Sequence, residues 1–278
     1  MPAERARLRE RLASGRTLVA PGATDALSAK LIERHGFEAV YIGSYATASS
    51  RYALPDTGLL RLEDLAAQAK TIADAVSIPV IADAEGGFHP PEEMWRTVRA
   101  FEDAGVAAIH IEDHTGAGKH TSEPQTLRPM AEAAARIRAA VQARTDPDLL
   151  IAARSDAFWI ARDLEDTVRR LAAYAEAGAD LVFPTLAGPP ELAEIRRRVP
   201  RPQMIVDIPG ATVADEERAG AAIVLYYGFS TLIQYDALDR ALARFKSTRD
   251  ANAVPGYRER VREFEEFMGY GNSPPRTK

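Results

Sequence analysis

Acidic side chains follow several short apolar runs of this sequence, at the points where predicted strands end. Asp83 and Glu85 stand two residues apart after the run Pro79–Ala82, and Glu112 follows the run Ala108–Ile111. Residues two apart in an extended segment share one face, so we expect the three carboxylates to converge. Carboxylates this close repel one another, and a hard divalent cation such as Mg²⁺ or Mn²⁺ removes the repulsion. The pattern predicts a metal site at these acids, or, as the alternative, ion pairs with lysine or arginine at the same rim.

One basic residue, Arg154, follows a predicted strand in the same way. Beside a metal held by carboxylates, its planar guanidinium group is suited to bind the carboxylate of an anionic substrate. A purely structural ion pair with Asp156 or Glu112 is the alternative. Asp207 follows the seventh apolar run and is a further predicted substrate-binding residue.

Two polar loops are expected to border this site. Ser44 and Tyr45 follow the second apolar run directly after a glycine, and small residues there let backbone N–H groups approach an anion. The segment Thr115–Glu123, with the sequence TGAGKHTSE, follows the fourth run and has the composition of a mobile lid. This lid also carries Lys119 and His120.

Short apolar runs alternate with amphipathic segments of helical period, which is typical of repeated βα units around a parallel sheet. The runs predict eight strands: Thr17–Ala20, Ala39–Ile42, Pro79–Ala82, Ala108–Ile111, Leu149–Ala153, Leu181–Phe183, Gln203–Val206 and Ala222–Leu225. The periodic segments predict helices at Asp25–Arg34, Leu62–Val76, Glu92–Ala104, Met130–Ala143, Asp163–Ala177, Glu191–Arg198 and Thr231–Lys246.

A weak internal repeat sharpens the prediction of fold class. A helix end, a glycine and a strand start recur at Gly36, Gly105, Gly178 and Gly220, where glycine suits a left-handed helix cap. About eight units over roughly 240 residues, with no GxGxxG turn after the first strand, favour an α/β fold of the (β/α)₈ TIM barrel type over a doubly wound sheet. No linker divides the chain, so we predict one domain over residues 1–278. Within it, residues 246–278 form a C-terminal helical extension that packs on a neighbouring subunit or covers its own barrel.

The composition excludes several classes of protein. The 278 residues are 46% apolar, enough for a sizeable core, and include no cysteine, which removes disulfides, thiolate zinc sites and a cysteine nucleophile. The net charge is -5 with both signs interspersed, so no basic patch for nucleic acid is visible. The charged N-terminus lacks an apolar h-region, and no run approaches the roughly 18 apolar residues of a membrane span. We therefore expect a cytoplasmic protein that binds neither nucleic acid nor membrane.

Five motifs follow one another at successive predicted strand ends: PGATDALSAKL, YIGSYATASSRYALPD, PVIADAEGG, AIHIEDH and LIAARSDA. In this order and spacing they resemble the isocitrate lyase and phosphoenolpyruvate mutase superfamily, over about residues 10 to 245. The resemblance implies Mg²⁺-assisted chemistry through the enolate of a 2-oxo acid, in which a carbon–carbon or carbon–phosphorus bond is made or broken. It also implies a helix-swapped homotetramer, a dimer of dimers, that acts on a small anionic carboxylate.

The resemblance gives the three acids separate roles. Asp83 matches the direct metal ligand, and Glu85 and Glu112 match acids that hold metal-bound waters. Family members usually have Asp where Glu85 stands, so the longer acid would reach the metal directly or shift its waters.

For the substrate, the resemblance implies that Arg154 binds the carboxylate and the enolate oxygen. Ser44 and Tyr45 match a backbone cradle for that carboxylate, where a small residue is more usual than Tyr45, so a narrower or differently shaped pocket is expected. Asp56 matches an acid beside the active site that contacts the reacting group in several members.

The lid departs from the family pattern. Lyases that cleave isocitrate, methylisocitrate and dimethylmalate carry Lys-Arg-Cys-Gly-His, with the cysteine as general acid, whereas this chain has the sequence GKHTS at residues 118–122. His120 stands at the cysteine position with Lys119 before it, and a histidine can donate or accept a proton near neutral pH. Standard isocitrate or methylisocitrate cleavage is therefore disfavoured. The Lys-Thr-Asn pattern of phosphonopyruvate chemistry is also missing.

The leading prediction is a Mg²⁺-dependent lyase that cleaves a carbon–carbon bond of a small 2-hydroxy di- or tricarboxylate, or a close analogue, to give a 2-oxo acid. The metal and Arg154 would stabilise the enolate, and His120 or a bound water would handle the proton. An oxaloacetate decarboxylase-like enzyme is the nearest alternative, because it needs the same site but no cysteine acid. Phosphonopyruvate or phosphoenolpyruvate mutase-type chemistry and a non-catalytic binding barrel are the remaining alternatives.

Overall fold

All eight predicted strands are present in the computed structural model, which describes residues 2–116 and 118–271. Within this part of the chain the strands are β1 (Leu18–Pro21), β2 (Val40–Ile42), β3 (Val80–Asp83), β4 (Ala108–Glu112), β5 (Leu150–Ser155), β6 (Leu181–Pro184), β7 (Gln203–Val206) and β8 (Ala221–Tyr226). The apolar runs of the sequence therefore located every strand that carries a predicted site residue.

Neighbouring strands pair in parallel in the order β1-β8-β7-β6-β5-β4-β3-β2. Between β1 and β2, the Ala23 backbone N–H donates to the Tyr41 carbonyl oxygen at 2.9 Å. The sheet thus nearly closes on itself, which confirms the (β/α)₈ TIM barrel and excludes the doubly wound sheet.

Helices alternate with the strands along the chain, and most strands are followed by a helix. The helices are α1 (Pro2–Ala13), α2 (Ala26–Arg34), α3 (Ser44–Tyr52), α4 (Leu62–Ala73), α5 (Met94–Ala104), α6 (Met130–Ala143), α7 (Ala157–Ala161), α8 (Leu164–Glu176), α9 (Pro189–Arg198), α10 (Val213–Ala219), α11 (Phe229–Thr248) and α12 (Val261–Met268). The four glycines of the repeat have φ between 81° and 104°, which only glycine adopts readily, and this confirms the predicted left-handed turns.

Alternation along the strands decides which side chains reach the site. Leu150 of β5 belongs to the apolar cluster inside the barrel, whereas Ile151 packs with the helices outside it. Arg154, four residues after Leu150, is therefore directed inward. The same alternation turns the ends of β3 and β4 inward with Asp83 and Glu112.

The chain forms two compact units, one up to Thr231 that contains the barrel and one from Leu232 onwards. The second unit holds most of α11 and all of α12, and the predicted extension falls within it. The terminal tail NSPPRTK of that extension, Met1 and Ala117 of the lid lie outside the described residues. Among the described helices, none is long and apolar enough to span a membrane.

Candidate active site

A cavity of about 140 Å³ opens at the carboxyl ends of the strands. Active sites of TIM barrels lie at this end, where loops after several strands converge. The wall includes seven predicted site residues, Ser44, Tyr45, Asp56, Asp83, Lys119, His120 and Arg154, and is completed by Tyr41, Gly43, Trp159, Thr185, Leu186, Val206 and Tyr227.

The Asp83 carboxylate is held by three donors at the end of β3. The Ser44 backbone N–H and hydroxyl donate to Oδ2 at 3.2 and 3.0 Å, and the Glu85 backbone N–H donates to Oδ1 at 2.8 Å. Burial alone would raise the pKa of Asp83, but histidine and cationic neighbours outweigh it and hold that pKa below its usual range. Ser44, at the start of α3, thus meets a protein carboxylate, and Asp83 is present as an anion.

Lys119 lies among the other acids of the cluster. Its ammonium group is 2.7 Å from Glu85, 3.3 Å from Glu112 and 3.8 Å from Asp56, and the residue is only 1% exposed. The lid therefore places a buried cation between two of the three acids predicted to bind a metal. Ion pairing with lysine, the alternative interpretation of the acids, is what the structure has at Glu85 and Glu112.

The acid cluster contains more carboxyl groups than cations. Five buried carboxyl groups, those of Asp56, Asp83, Glu85, Glu112 and Asp156, face two cations, Lys119 and Arg154. Burial raises the pKa of Glu85 and raises that of Glu112 well above its usual value, although Lys119 acts in the opposite direction on both.

The same cluster fits a hard divalent cation. Within the described residues, Glu85 Oε1 is buried without a hydrogen-bond partner, and carboxylate oxygens are the ligands that Mg²⁺ prefers. No three acidic or histidine side chains of residues 2–116 and 118–271 converge closely enough to coordinate one ion directly. A divalent cation bound here would have few direct protein ligands and would keep coordinated waters, as Mg²⁺ does.

Arg154 is fixed in its orientation by Glu112 at the end of β4 and by Asp156 and Thr185, which directly follow β5 and β6. Its Nε and Nη2 donate to the two oxygens of Asp156 at 2.7 and 3.2 Å, and Nε also donates to the Thr185 hydroxyl at 2.9 Å. Nη1 lies 3.2 Å from Glu112 Oε2. Both structural partners considered for Arg154 in the sequence are present, and the guanidinium group also lines the cavity.

His120 stands at the mouth of the cavity. Its side chain is 43% exposed, its Nε2 lies 3.5 Å from Asp56 Oδ2, and its ring centroid is 5.1 Å from that of Trp159. The residue has a positive φ of 52°, a conformation that is uncommon for histidine. The lid therefore brings a histidine, rather than a cysteine, to the opening above the acids.

Comparisons with known proteins agree with this geometry. The family described as phosphoenolpyruvate phosphomutase matches residues 8–246. The 2,3-dimethylmalate lyase of Eubacterium barkeri is 34% identical over 272 residues, covering 95% of this chain and 93% of its own. The chain belongs to the phosphoenolpyruvate mutase and isocitrate lyase superfamily. The 2-methylisocitrate lyase of Salmonella typhimurium strain LT2 is 36% identical over 84% of this chain and 80% of its own.

Solved structures of the superfamily have the same architecture. A phosphonopyruvate hydrolase in complex with oxalate and Mg²⁺ has a TM-score of 0.86, 31% identity, and coverage of 96% of this chain and 95% of its own. An oxaloacetate acetylhydrolase in complex with 3,3-difluorooxalacetate has a TM-score of 0.86 at 28% identity, covering 96% and 94%. The family match and the two lyase relatives confirm the predicted superfamily and the prediction that this chain is an enzyme of the carbon–carbon lyase type.

Within this superfamily barrel, several lining residues were missed by reasoning from charged strand ends. Trp159, Leu186 and Tyr227 follow β5, β6 and β8, so inspecting every residue after each strand would have found them. At the end of β7, Val206 lines the cavity. Asp207, which was predicted to bind substrate, is not among the described residues that line it. Asp207 donates its backbone N–H to β8 instead, at 3.0 Å.

Proposed function

We propose that this protein is a Mg²⁺- or Mn²⁺-dependent lyase that cleaves a carbon–carbon bond of a small 2-hydroxy di- or tricarboxylate to give a 2-oxo acid. The observation that carries the proposal is the group of five buried carboxyl groups around Lys119 and Arg154, of which Asp56 and Asp83 line the cavity together with both cations. Such a site binds a cation and an anionic carboxylate together.

The acids would hold the metal and Arg154 the substrate. Asp83 is assigned as the direct ligand, and Glu85 and Glu112 as acceptors for water on the ion, in keeping with the absence of a directly coordinating trio among the described residues. A bound divalent cation would stabilise negative charge that develops on a substrate oxygen. Asp156 already fixes the Arg154 side chain. Arg154 therefore orients the substrate carboxylate without a further loss of side-chain entropy.

We assign the proton-transfer step to His120. Because its Nε2 lies beside Asp56 at the cavity mouth, it can carry a proton to the carbon at which the enolate is protonated. Lys119 shares Glu85 and Glu112 with the proposed metal and keeps their charge partly neutralised when the cavity is empty of substrate.

A direct test measures 2-oxo acid release from isocitrate, 2-methylisocitrate and 2,3-dimethylmalate in Mg²⁺ buffer. We expect glyoxylate or pyruvate from at least one of them, loss of turnover in EDTA, and no rescue of Asp83→Ala by added metal. Arg154→Lys keeps the charge but loses the fork, so turnover should fall by about thirty-fold to a thousand-fold. No 2-oxo acid from any substrate, or full turnover in EDTA, would contradict the proposal.

Oxaloacetate is the second candidate substrate, because the chain has no cysteine and presents His120 at the lid position. Decarboxylation needs the same stabilised enolate without a cysteine acid. The same assay with oxaloacetate distinguishes the outcomes, since decarboxylation gives pyruvate and hydrolysis gives oxalate and acetate.

A further inference from the structure

Part of the cavity lining consists of uncharged, largely apolar side chains. Tyr45 and Tyr227 pack edge to face, with ring centroids 5.4 Å apart and an interplanar angle of 84°. Leu186, Val206 and Trp159 are the other large apolar or aromatic residues of this part of the lining. We call these five residues the apolar wall. Of the three acids that Lys119 contacts, only Asp56 also lines the cavity.

The backbone at Tyr227, one residue of the apolar wall, is held in place by a close approach of the chain directly after β1. A Cβ atom on Gly22 would lie 2.4 Å from the Tyr227 carbonyl oxygen, so only glycine permits this contact. Gly22 also donates its N–H to the Tyr226 carbonyl oxygen at 2.9 Å. Tyr227 is therefore a fixed support for Tyr45.

The fixed positive charges of the cavity already have carboxylate partners. Among the described lining residues these charges are Lys119 and Arg154, and each contacts at least two carboxyl groups of the protein. A substrate carboxylate that faced the apolar wall would lose its hydration without gaining a cation. An alkyl group in that place would gain contact with aromatic faces instead.

Building on the proposed function, we propose that the apolar wall is the subsite for an uncharged substituent, so that the substrate is a 2-hydroxy dicarboxylate with hydrogen or small alkyl groups and not a tricarboxylate. Tyr45 is the specificity-determining residue, because its ring lines the cavity and is held in place by the edge-to-face contact with Tyr227. Selectivity arises from the cost of desolvating that carboxylate as much as from contact with the alkyl group.

The test compares two inert probes that lack the 2-hydroxyl group and so cannot be cleaved. One is 2,3-dimethylsuccinate and the other is propane-1,2,3-tricarboxylate, each titrated in Mg²⁺ buffer by calorimetry and by the fluorescence of Trp159, which lines the cavity. Wild-type protein should bind the dimethyl probe at least about tenfold more tightly. Tyr45→Ala should abolish most of this preference, and Tyr45→Phe should retain it. Tyr52→Ala, on the same helix but bonded to Asp64 outside the cavity, is the matched control and should behave as wild type.

Oxalate separates this inference from the lyase proposal, because it is too short to reach beyond the carboxylate-binding groups. If oxalate binds with Mg²⁺ but the two probes bind equally, or Tyr45→Ala keeps the full preference, the apolar wall does not select the substrate while the proposed lyase stands. If oxalate fails to bind wild-type protein, the proposed function itself is wrong. A preference for the tricarboxylate would overturn the inference outright.

Discussion

At the scale of single residues, Lys119 supplies part of the positive charge that neutralises the acid cluster. Its ammonium group contacts Glu85 and Glu112, the two acids that we propose to hold water on a divalent cation. Two cations that share acceptors in a buried site repel each other. The lid lysine and the proposed metal are therefore expected to compete, and removal of the lysine should favour the metal.

Lys119→Met should raise the affinity for Mg²⁺ by about tenfold, equivalent to about 1.4 kcal/mol, because the acids lose their built-in cation. Calorimetric titration with Mg²⁺ alone measures this without any need for turnover. Lys70→Met, at an exposed lysine that pairs with Asp74, is the control and should leave the affinity as it is. Unchanged or weaker Mg²⁺ binding by Lys119→Met would show that the two cations do not compete.

His110 lies inside the barrel, where protonation of its buried ring is energetically unfavourable. It is 0% exposed, its Nε2 is 3.1 Å from the Tyr41 hydroxyl, and its Nδ1 is 3.6 Å from Asp83 Oδ1. Burial lowers the pKa of His110 to about 4, although Asp83 acts in the opposite direction. Between pH 4 and 6.5 the unfolded chain therefore binds a proton at this residue that the folded protein does not bind.

Stability should consequently fall as the pH is lowered from 6.5 to 4, with about 3 kcal/mol of the loss due to His110. Urea unfolding of wild-type protein and His110→Gln at several pH values in EDTA measures this share as a difference in slope. His35→Gln, at an exposed histidine after α2, provides the comparison. Parallel pH profiles for wild type and His110→Gln would contradict this account.

At the scale of elements, helix α1 is attached to the barrel by one buried arginine. Arg5 is 6% exposed and donates to the carbonyl oxygens of Val106 and Glu102 at 2.9 and 2.8 Å and to Asp146 at 2.7 Å. Leu8, on the same helix, is fully buried in the cluster inside the barrel. The helix therefore covers the end of the barrel opposite the cavity.

Arg5→Met should destabilise the protein by about 2 to 4 kcal/mol, because the buried carbonyl oxygens of Val106 and Glu102 each lose a donor and Asp146 loses its cation. Arg7→Met is the matched control on the same helix, since Arg7 is exposed and its loss should cost less than about 0.5 kcal/mol. Denaturant midpoints at neutral pH compare the two. Equal midpoints for both variants would mean that α1 is not held by Arg5.

The sequence predicted the positions of the strands better than it predicted which side chains contact one another. Strand positions and the inward direction of Asp83 and Arg154 follow from local alternation, which is present in the sequence itself. Helix α3 has the sequence SYATASSRY, which does not predict a helix. Its first N–H, that of Ser44, donates to Asp83, which lies 39 residues away in the chain. The burial of Lys119 likewise depends on acids brought together by two different strands. Such long-range contacts leave no local signal.

At the scale of the whole molecule, the described residues that line the cavity all belong to the unit up to Thr231. The unit from Leu232 has a different character. Its large apolar side chains, including Leu238, Leu242 and Phe245 of α11 and Phe264 of α12, are exposed. The three from α11 are spaced by four and three residues, so they form one stripe along the helix. Monomeric proteins rarely leave such a stripe in water.

We therefore expect this stripe to bury itself against other copies of the chain, in line with the homotetramer implied by the family resemblance. Light scattering after size-exclusion chromatography should give the mass of a tetramer. The double variant Leu238→Glu with Leu242→Glu should give a smaller species, because charges on the stripe would be desolvated in an interface. Arg240 lies between these leucines in the sequence but on another face of the helix, where it pairs with Asp236. The control variant Arg240→Gln should therefore leave the mass unchanged. A monomeric wild-type protein, or a double variant with wild-type mass, would mean that α11 does not mediate association, and the exposed leucines would then require another explanation.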